Sequence, residues 1–268
     1  FHSGKPDEAE KPVREAIEIG RAQPAGPTYV LAESLSLMAD IVSTKGDLEQ
    51  AVTLARESIK ITESLNNKDT PQIDVAKNSL AMILMQKGEF AESETLLTET
   101  LESQKRQFGE THSQVAIALE NLGNVYFRQG RLDKTIEMLN QAAAVRKVAY
   151  GPKHPTVGRT LVNMGTVLWR AGRLDESERA YREGVALMQE GMGKDHPDIA
   201  HVLANLGGLL EQRGNRIGAE EAWRESLRIR RSTLGEKHRL TATSMIDLGL
   251  KLKSWGVKSD EVRKLLQA

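Results

Sequence analysis

The sequence contains no cysteine, which excludes disulfide bonds, thiolate zinc sites and cysteine nucleophiles. Aromatic residues make up only 4% of the chain, so we expect a core of Leu, Ala, Val, Ile and Met. No run reaches the roughly 18 apolar residues of a membrane-spanning helix. The 37 Lys and Arg residues balance the 37 Asp and Glu residues, so the basic excess of DNA-binding and polybasic membrane-binding proteins is missing. We expect no nucleic-acid partner, no membrane partner and a cytoplasmic location.

Motifs of catalysis are missing as well. The sequence has no G-x-x-x-x-G-K-[ST], no G-x-S-x-G and no H-E-x-x-H, and no carboxylate pair stands out as a catalytic dyad. His112, His154, His196 and His238 recur singly at a constant interval, whereas a metal site needs three or four converging ligands. We therefore expect a non-enzyme without cofactor or metal, in which these histidines have a local role at turns.

What the sequence does contain is a strict period of 42 residues, the step from Gly109 to Gly151. Two sets of glycines repeat at that interval, and each set marks one kind of turn. The first set is Gly109, Gly151, Gly193 and Gly235. The second set is Gly4, Gly46, Gly88, Gly130, Gly172, Gly214 and Gly256. Such a period predicts a repeat protein whose neighbouring units bury each other's apolar faces.

Each unit reads as two helices separated by the second glycine, because apolar residues recur at steps of three and four. Pro155 and Pro197 stand at the predicted start of a first helix, where the missing N–H costs little. Glycine also recurs in the middle of the first helix, where it costs about 1 kcal/mol relative to alanine. This register, which predicts close approach of another helix, holds Ala39, Ala81, Gly123, Gly165, Gly207 and Gly249.

The repeat resembles the tetratricopeptide repeat (TPR). Leu119, Leu122, Gly123, Tyr126 and Gly130 follow its pattern, with a small residue, Thr135, five positions later. The unit is longer than the ordinary repeat and opens with Gly-x-x-His-Pro, which is similar to the kinesin light chain type and is best matched at Gly151–Pro155 and Gly193–Pro197. The resemblance implies an all-α fold, a right-handed superhelical solenoid of antiparallel helix pairs with about six and a half repeats.

We predict one continuous array without a linker. Its first segment holds only a second helix, from about Lys5 to Ala22, and its last repeat has a shortened second helix from about Ser259. The predicted boundaries are 1–24, 25–66, 67–108, 109–150, 151–192, 193–234 and 235–268.

One stripe on the first helices lies opposite the apolar face, and in tetratricopeptide stacks it lines the concave groove. Asn121, Asn163 and Asn205 recur on it, and an amide can both donate to and accept from an extended peptide backbone. The row resembles the asparagine ladder of the O-linked N-acetylglucosamine transferase repeats. The alternative is that these amides bond only within the stack. The candidate peptide-binding residues are Asn121, Asn124, Arg128, Arg159, Asn163, Thr166, Trp169, Arg170, His201, Asn205 and Gln212.

Basic side chains in the middle of the stripe favour an acidic peptide segment of a partner protein, because Arg binds carboxylates as a two-pronged donor. Glu33 and Asp40 lie on the same stripe nearer the N-terminal end. Two alternatives to a peptide-binding module stay open. One is a structural spacer or self-association array, including a homodimer through the opened first repeat, and the other is the regulatory array of a larger signalling enzyme.

Overall fold

A computed structural model describes residues 6–24, 26–65, 70–257 and 260–267. These residues form thirteen α-helices and no strand, which confirms the predicted all-α fold. Gly4 and Ser259 lie outside the described residues. The helices are α1 (Pro6–Arg21), α2 (Tyr29–Thr44), α3 (Leu48–Leu65), α4 (Pro71–Lys87), α5 (Phe90–Phe108), α6 (Ser113–Arg128), α7 (Leu132–Tyr150), α8 (Pro155–Arg170), α9 (Leu174–Met192), α10 (Pro197–Gln212), α11 (Arg216–Leu234), α12 (Arg239–Ser254) and α13 (Asp260–Leu266).

The chain divides into two compact units, residues 1–138 and 139–268, with the boundary inside α7. In the first unit α2 pairs with α3 and α4 with α5, while α8–α9, α10–α11 and α12–α13 are the pairs of the second. Successive first helices also touch, α2 with α4 and α8 with α10. The single continuous array stays a prediction.

Turn glycines end the helices as the period predicts. Gly88 has φ of +88° and caps α4, a left-handed conformation that only glycine adopts without strain. Gly109 and Gly193 follow α5 and α9 with φ of +86° and +89°. In each of the repeats 109–150, 151–192 and 193–234, one positive-φ glycine stands at the start of the repeat and a second separates its two helices.

The first helices of the repeats begin with an N-cap residue at an equivalent position, which the sequence predicted only in part. His112, His154, His196 and His238 are the N-caps of α6, α8, α10 and α12, and each Nδ1 accepts from the backbone N–H two residues later. Thr28 and Thr70 cap α2 and α4 in the same register through their hydroxyls. The expected local role of the histidines is confirmed. Within the described residues no cluster of His, Asp or Glu is arranged to hold a metal ion.

The mid-helix glycines lie where the second helix comes closest. A Cβ on Gly165 would lie 3.0 Å from the Tyr181 ring, and one on Gly207 would lie 2.3 Å from Trp223 Nε1. The small residue after the turn completes the contact, because Ser177 Oγ donates to the Gly165 carbonyl at 2.7 Å. Gly165 and Gly207 therefore make room for the large aromatic side chains of α9 and α11, as the register predicts.

Candidate functional site

The stripe of the second unit lies on α8 and α10. Each helix buries the opposite face, which on α8 includes Leu161, Gly165 and Leu168. Arg159, Asn163 and Arg170 are exposed on α8, and His201 is exposed on α10 beside the half-buried Asn205. Among the described residues, neither Asn163 nor Asn205 has a side-chain hydrogen bond. Both carboxamides are therefore available to a ligand.

Three other candidates of this stripe are already engaged. Trp169 Nε1 donates to Gln212 Oε1 at 2.6 Å, and the Trp169 ring lies on Gly208, whose added Cβ would be 2.8 Å from it. Thr166 Oγ1 and the Tyr181 hydroxyl form a 2.9 Å hydrogen bond. Burial raises the pKa of the Tyr181 phenol, and the hydrogen bond from Thr166 opposes that rise. Trp169 and Gln212 thus connect two neighbouring repeats, and Thr166 connects the two helices of its own repeat.

In the first unit the candidate residues lie on α6. Asn124 and Arg128 are exposed, but the half-buried Asn121 donates from Nδ2 to Asn78 Oδ1 of α4 at 2.7 Å. This bond lies within the stack, the alternative considered for the asparagine row. The row is therefore uneven, because Asn121 already binds a neighbouring repeat and Asn163 does not.

A residue that the sequence analysis missed lies beneath the second unit's stripe. Arg230, on α11, lines a cavity of about 270 Å³ together with Trp223, Ser244 and Asp247. Its Nη1 contacts Ser244 Oγ and the Leu240 carbonyl. Desolvation lowers the pKa of Arg230, and the charge of Asp247 acts in the opposite direction. Among the described residues, no carboxylate lies within ion-pair distance of Arg230, so it is a partly desolvated cation that only the more distant charge of Asp247 stabilises.

The register of the repeat could have pointed to Arg230. The equivalent positions on the second helices hold Thr62, Gln104, Arg146 and Met188. Arg146 is buried and makes the same kind of contacts, to Thr160 Oγ1 at 2.6 Å and to the Thr156 carbonyl at 3.1 Å. The candidates were taken from the first helices alone, so this position of the second helices was not among them.

Comparison with known families agrees with this geometry. A family model described as tetratricopeptide repeat matches residues 72–147, 114–190, 156–219 and 198–256, and a second model of the same description matches residues 31–72. The chain belongs to the tetratricopeptide repeat family. Its repeats are of the kinesin light chain type. No curated protein sequence matches the chain.

Solved structures with the same fold include BtubC (BKLC) from P. vanneervenii, with 19% identity and a TM-score of 0.73, over 87% of this chain and 94% of that one. A putative kinesin light chain with nearly identical TPR-like repeats from Podosopora anserina has 19% identity and a TM-score of 0.64, over 75% of this chain and 95% of that one. At such identities the likeness establishes the fold alone.

A third similar structure is a Signal Transduction ATPase with Numerous Domains from Pyrococcus horikoshii, which has a tetratricopeptide repeat sensor. It has 18% identity and a TM-score of 0.71, over 99% of this chain and 39% of that one. This TPR chain is a protein–protein interaction or scaffold module, a class that is generally non-catalytic. No helix of the described residues is long and apolar enough to cross a membrane.

Proposed function

We propose that the second unit binds an extended acidic segment of a partner protein along the stripe of α8 and α10. The observation that supports this most directly is Arg230, a partly desolvated guanidinium without an ion-pair partner among the described residues. A cation in this state gains most from a carboxylate that arrives with a ligand. Arg159, which is exposed, adds positive charge along the stripe.

The neutral amides give the same surface a way to hold a peptide backbone. Asn163 and Asn205 each offer one donor and one acceptor group, which match a peptide C=O and N–H. Carboxylates of the ligand would then contact the flanking cations while its backbone lies on the amides. In the first unit, Asn121, Asn124 and Arg128 are weaker candidates for binding a peptide, because Asn121 is already bonded to Asn78.

A display selection of random peptides on the full chain tests the proposal. We expect enrichment of Asp- and Glu-containing peptides, and loss of their binding in the Arg159→Gln plus Arg230→Met variant. The control is Arg179→Gln plus Arg182→Gln on α9, which removes the same charge away from the stripe. Selected peptides that ignore charge, or that bind both variants equally, would show the proposal to be wrong.

The contribution of the asparagines to binding can be tested separately, with one of the selected acidic peptides. We expect Asn163→Ala plus Asn205→Ala to weaken binding by about 1–3 kcal/mol, the cost of leaving hydrogen-bonding groups of the ligand unpaired. Asn140→Ala, an exposed asparagine on α7, is the control. Unchanged affinity in the double variant, with an unchanged circular dichroism spectrum, would remove the amides from the proposal.

A second candidate function is the sensor array of a larger signalling protein. It is favoured by the likeness to the Pyrococcus horikoshii ATPase, which matches nearly the whole of this chain with less than half of its own. Sequencing the complete gene tests this candidate, because an ATPase region in the same reading frame would support it and a frame that encodes only repeats would contradict it. A cytoplasmic location and homodimerisation stay predictions.

A further inference from the structure

The first unit contains a cavity in the same register as the Arg230 cavity but with the opposite charge. Its volume is about 470 Å³, and it lies between α2 and α4 above α3. Glu33, Leu37 and Asp40 of α2 face Val75 of α4 across it, with Thr62 of α3 on the floor. Thr62 stands four periods before Arg230, so the cation of the second cavity is replaced here by a neutral hydroxyl.

The two carboxylates of this cavity have no counter-ion in the part of the chain that the structure describes. Glu33 and Asp40 are both exposed, and among the described residues neither has a Lys or Arg partner within ion-pair distance. Ser79 Oγ donates to Asp40 Oδ1 at 2.6 Å, which holds that carboxylate at the rim. Other charged side chains of the unit do form ion pairs, as in Arg21–Glu57 and Arg56–Glu92.

A second observation at the same place also indicates a ligand. Tyr29 lines the cavity, and its hydroxyl is buried without a hydrogen-bond partner among the described residues. An unsatisfied buried hydroxyl is unfavourable, so a ligand group gains affinity if the Tyr29 side chain turns its hydroxyl into the cavity. Val75 is 67% exposed and gives the opposite wall an apolar surface.

The spacing of these groups defines what fits. Glu33 and Asp40 lie seven residues apart on α2, which is about 10 Å along the helix axis. Leu37 lies between them. A peptide in the polyproline II conformation advances about 3.1 Å per residue with three residues per turn, so two of its side chains three residues apart lie on the same side and span nearly the same distance. The aliphatic stems of Arg or Lys can lie on apolar surface while their heads reach carboxylates.

We propose that this cavity binds a basic segment of a partner protein, with two basic residues three positions apart and an apolar residue between them. The basic residues pair with Glu33 and Asp40, and the apolar residue contacts Leu37 and Val75. This inference goes beyond the proposed function, because it assigns a ligand of opposite charge to a different surface. Either assignment can fail without the other.

The probe is the peptide acetyl-Gly-Arg-Leu-Ala-Arg-Gly-amide, titrated into the full ¹⁵N-labelled chain at low salt. We expect saturable shifts of the α2 and α4 backbone amides at millimolar probe. The peptide with citrulline in place of both Arg residues keeps the shape and removes the charge. We expect it to bind roughly tenfold more weakly, as the loss of two exposed ion pairs implies.

The matching variant is Glu33→Gln plus Asp40→Asn, which should weaken the Arg peptide by the same factor of roughly ten. Glu15→Gln plus Glu18→Gln, on the exposed face of α1, removes two charges elsewhere and should leave binding unchanged. Glu33→Gln alone, which keeps the Ser79 hydrogen bond of Asp40, should give a smaller loss. Equal binding of the Arg and citrulline peptides, shifts confined to other helices, or no saturable shift at all would overturn the proposal.

Discussion

At the scale of single residues, the mid-helix glycines differ in how much space they must leave. A Cβ on Gly207 would lie 2.3 Å from Trp223 Nε1, and the Trp223 ring is held there by a 3.1 Å hydrogen bond to the Ala204 carbonyl. A Cβ on Gly123 would meet its nearest neighbour, Met138 Cβ, at 3.3 Å. The same position of the repeat therefore excludes a Cβ at Gly207, whereas at Gly123 a small shift of the neighbouring side chain makes room for one.

We predict that Gly207→Ala lowers the free energy of unfolding by about 1–3 kcal/mol, because overpacking outweighs the gain in helix propensity. Gly123→Ala should change it by less than about 1 kcal/mol, since a small shift of Met138 relieves the contact. Thermal unfolding followed by circular dichroism measures both. Tryptophan emission should change only in Gly207→Ala, where Trp223 has to move. Equal stability of the two variants would contradict this ranking.

The sequence predicted which residues lie on the stripe, but it did not predict their bonding partners. Recurrence at the repeat interval placed Asn121, Asn163 and Asn205 in equivalent positions. Their partners depend on the side chain of the next repeat, and only Asn121 faces an asparagine, Asn78. Trp169 likewise binds Gln212, two stripe residues that the sequence treated as separate contacts for a ligand. Such pairings depend on the geometry of side chains in neighbouring repeats, which the repeat interval alone does not specify.

At the scale of helices, the N-cap role of the histidines explains why His recurs at a constant interval. His196 Nδ1 accepts from the Asp198 N–H at 3.2 Å, and His154 Nδ1 accepts from the Thr156 N–H at 3.3 Å. His154 also stacks on the Tyr150 ring at 4.8 Å between centroids. His154 thus has a cap and a stack, whereas the residue four positions before His196 is Met192.

We expect His196→Ala to lower the free energy of unfolding by about 0.5–2 kcal/mol through loss of the cap. His196→Asn should restore most of that loss, because the Asn side chain accepts the same kind of hydrogen bond. His154→Asn should restore less, since Asn cannot replace the ring that stacks on Tyr150. Denaturant titration of the variants, with Tyr150→Ala as the control for the stack, measures the difference. Identical recovery at both positions would show that stacking does not contribute.

The helices themselves were largely predictable from the sequence, because their ends are marked by glycine, proline and cap residues. The sequence analysis nevertheless missed Thr28 and Thr70 as caps, since it searched for the Gly-His opening rather than for a hydrogen-bond acceptor at the same register. Arg230 was missed for a related reason. It lies on a second helix, and only packing against α12 brings it into a cavity beside the stripe.

At the scale of the whole molecule, a net charge of zero conceals local charge of both signs. The first unit has Glu33 and Asp40 beside its cavity, and the second has Arg230 in the equivalent cavity. Composition alone could exclude a strongly basic protein, but it could not reveal this separation. The separation follows from substitutions at equivalent positions of a repeat whose backbone stays the same.

Salt should therefore separate the contributions to acidic-peptide binding in the second unit. Raising the salt concentration from about 0.1 M to 1 M shortens the Debye length from about 10 Å to 3 Å, so pairing between exposed charges weakens. We expect affinity for a selected acidic peptide to fall over this range. The loss caused by Asn163→Ala plus Asn205→Ala should stay constant, because hydrogen bonds of neutral amides are not screened. Calorimetric titration at both salt concentrations measures the two effects. An asparagine effect that disappears in high salt would mean that the amides act only by placing the charged groups.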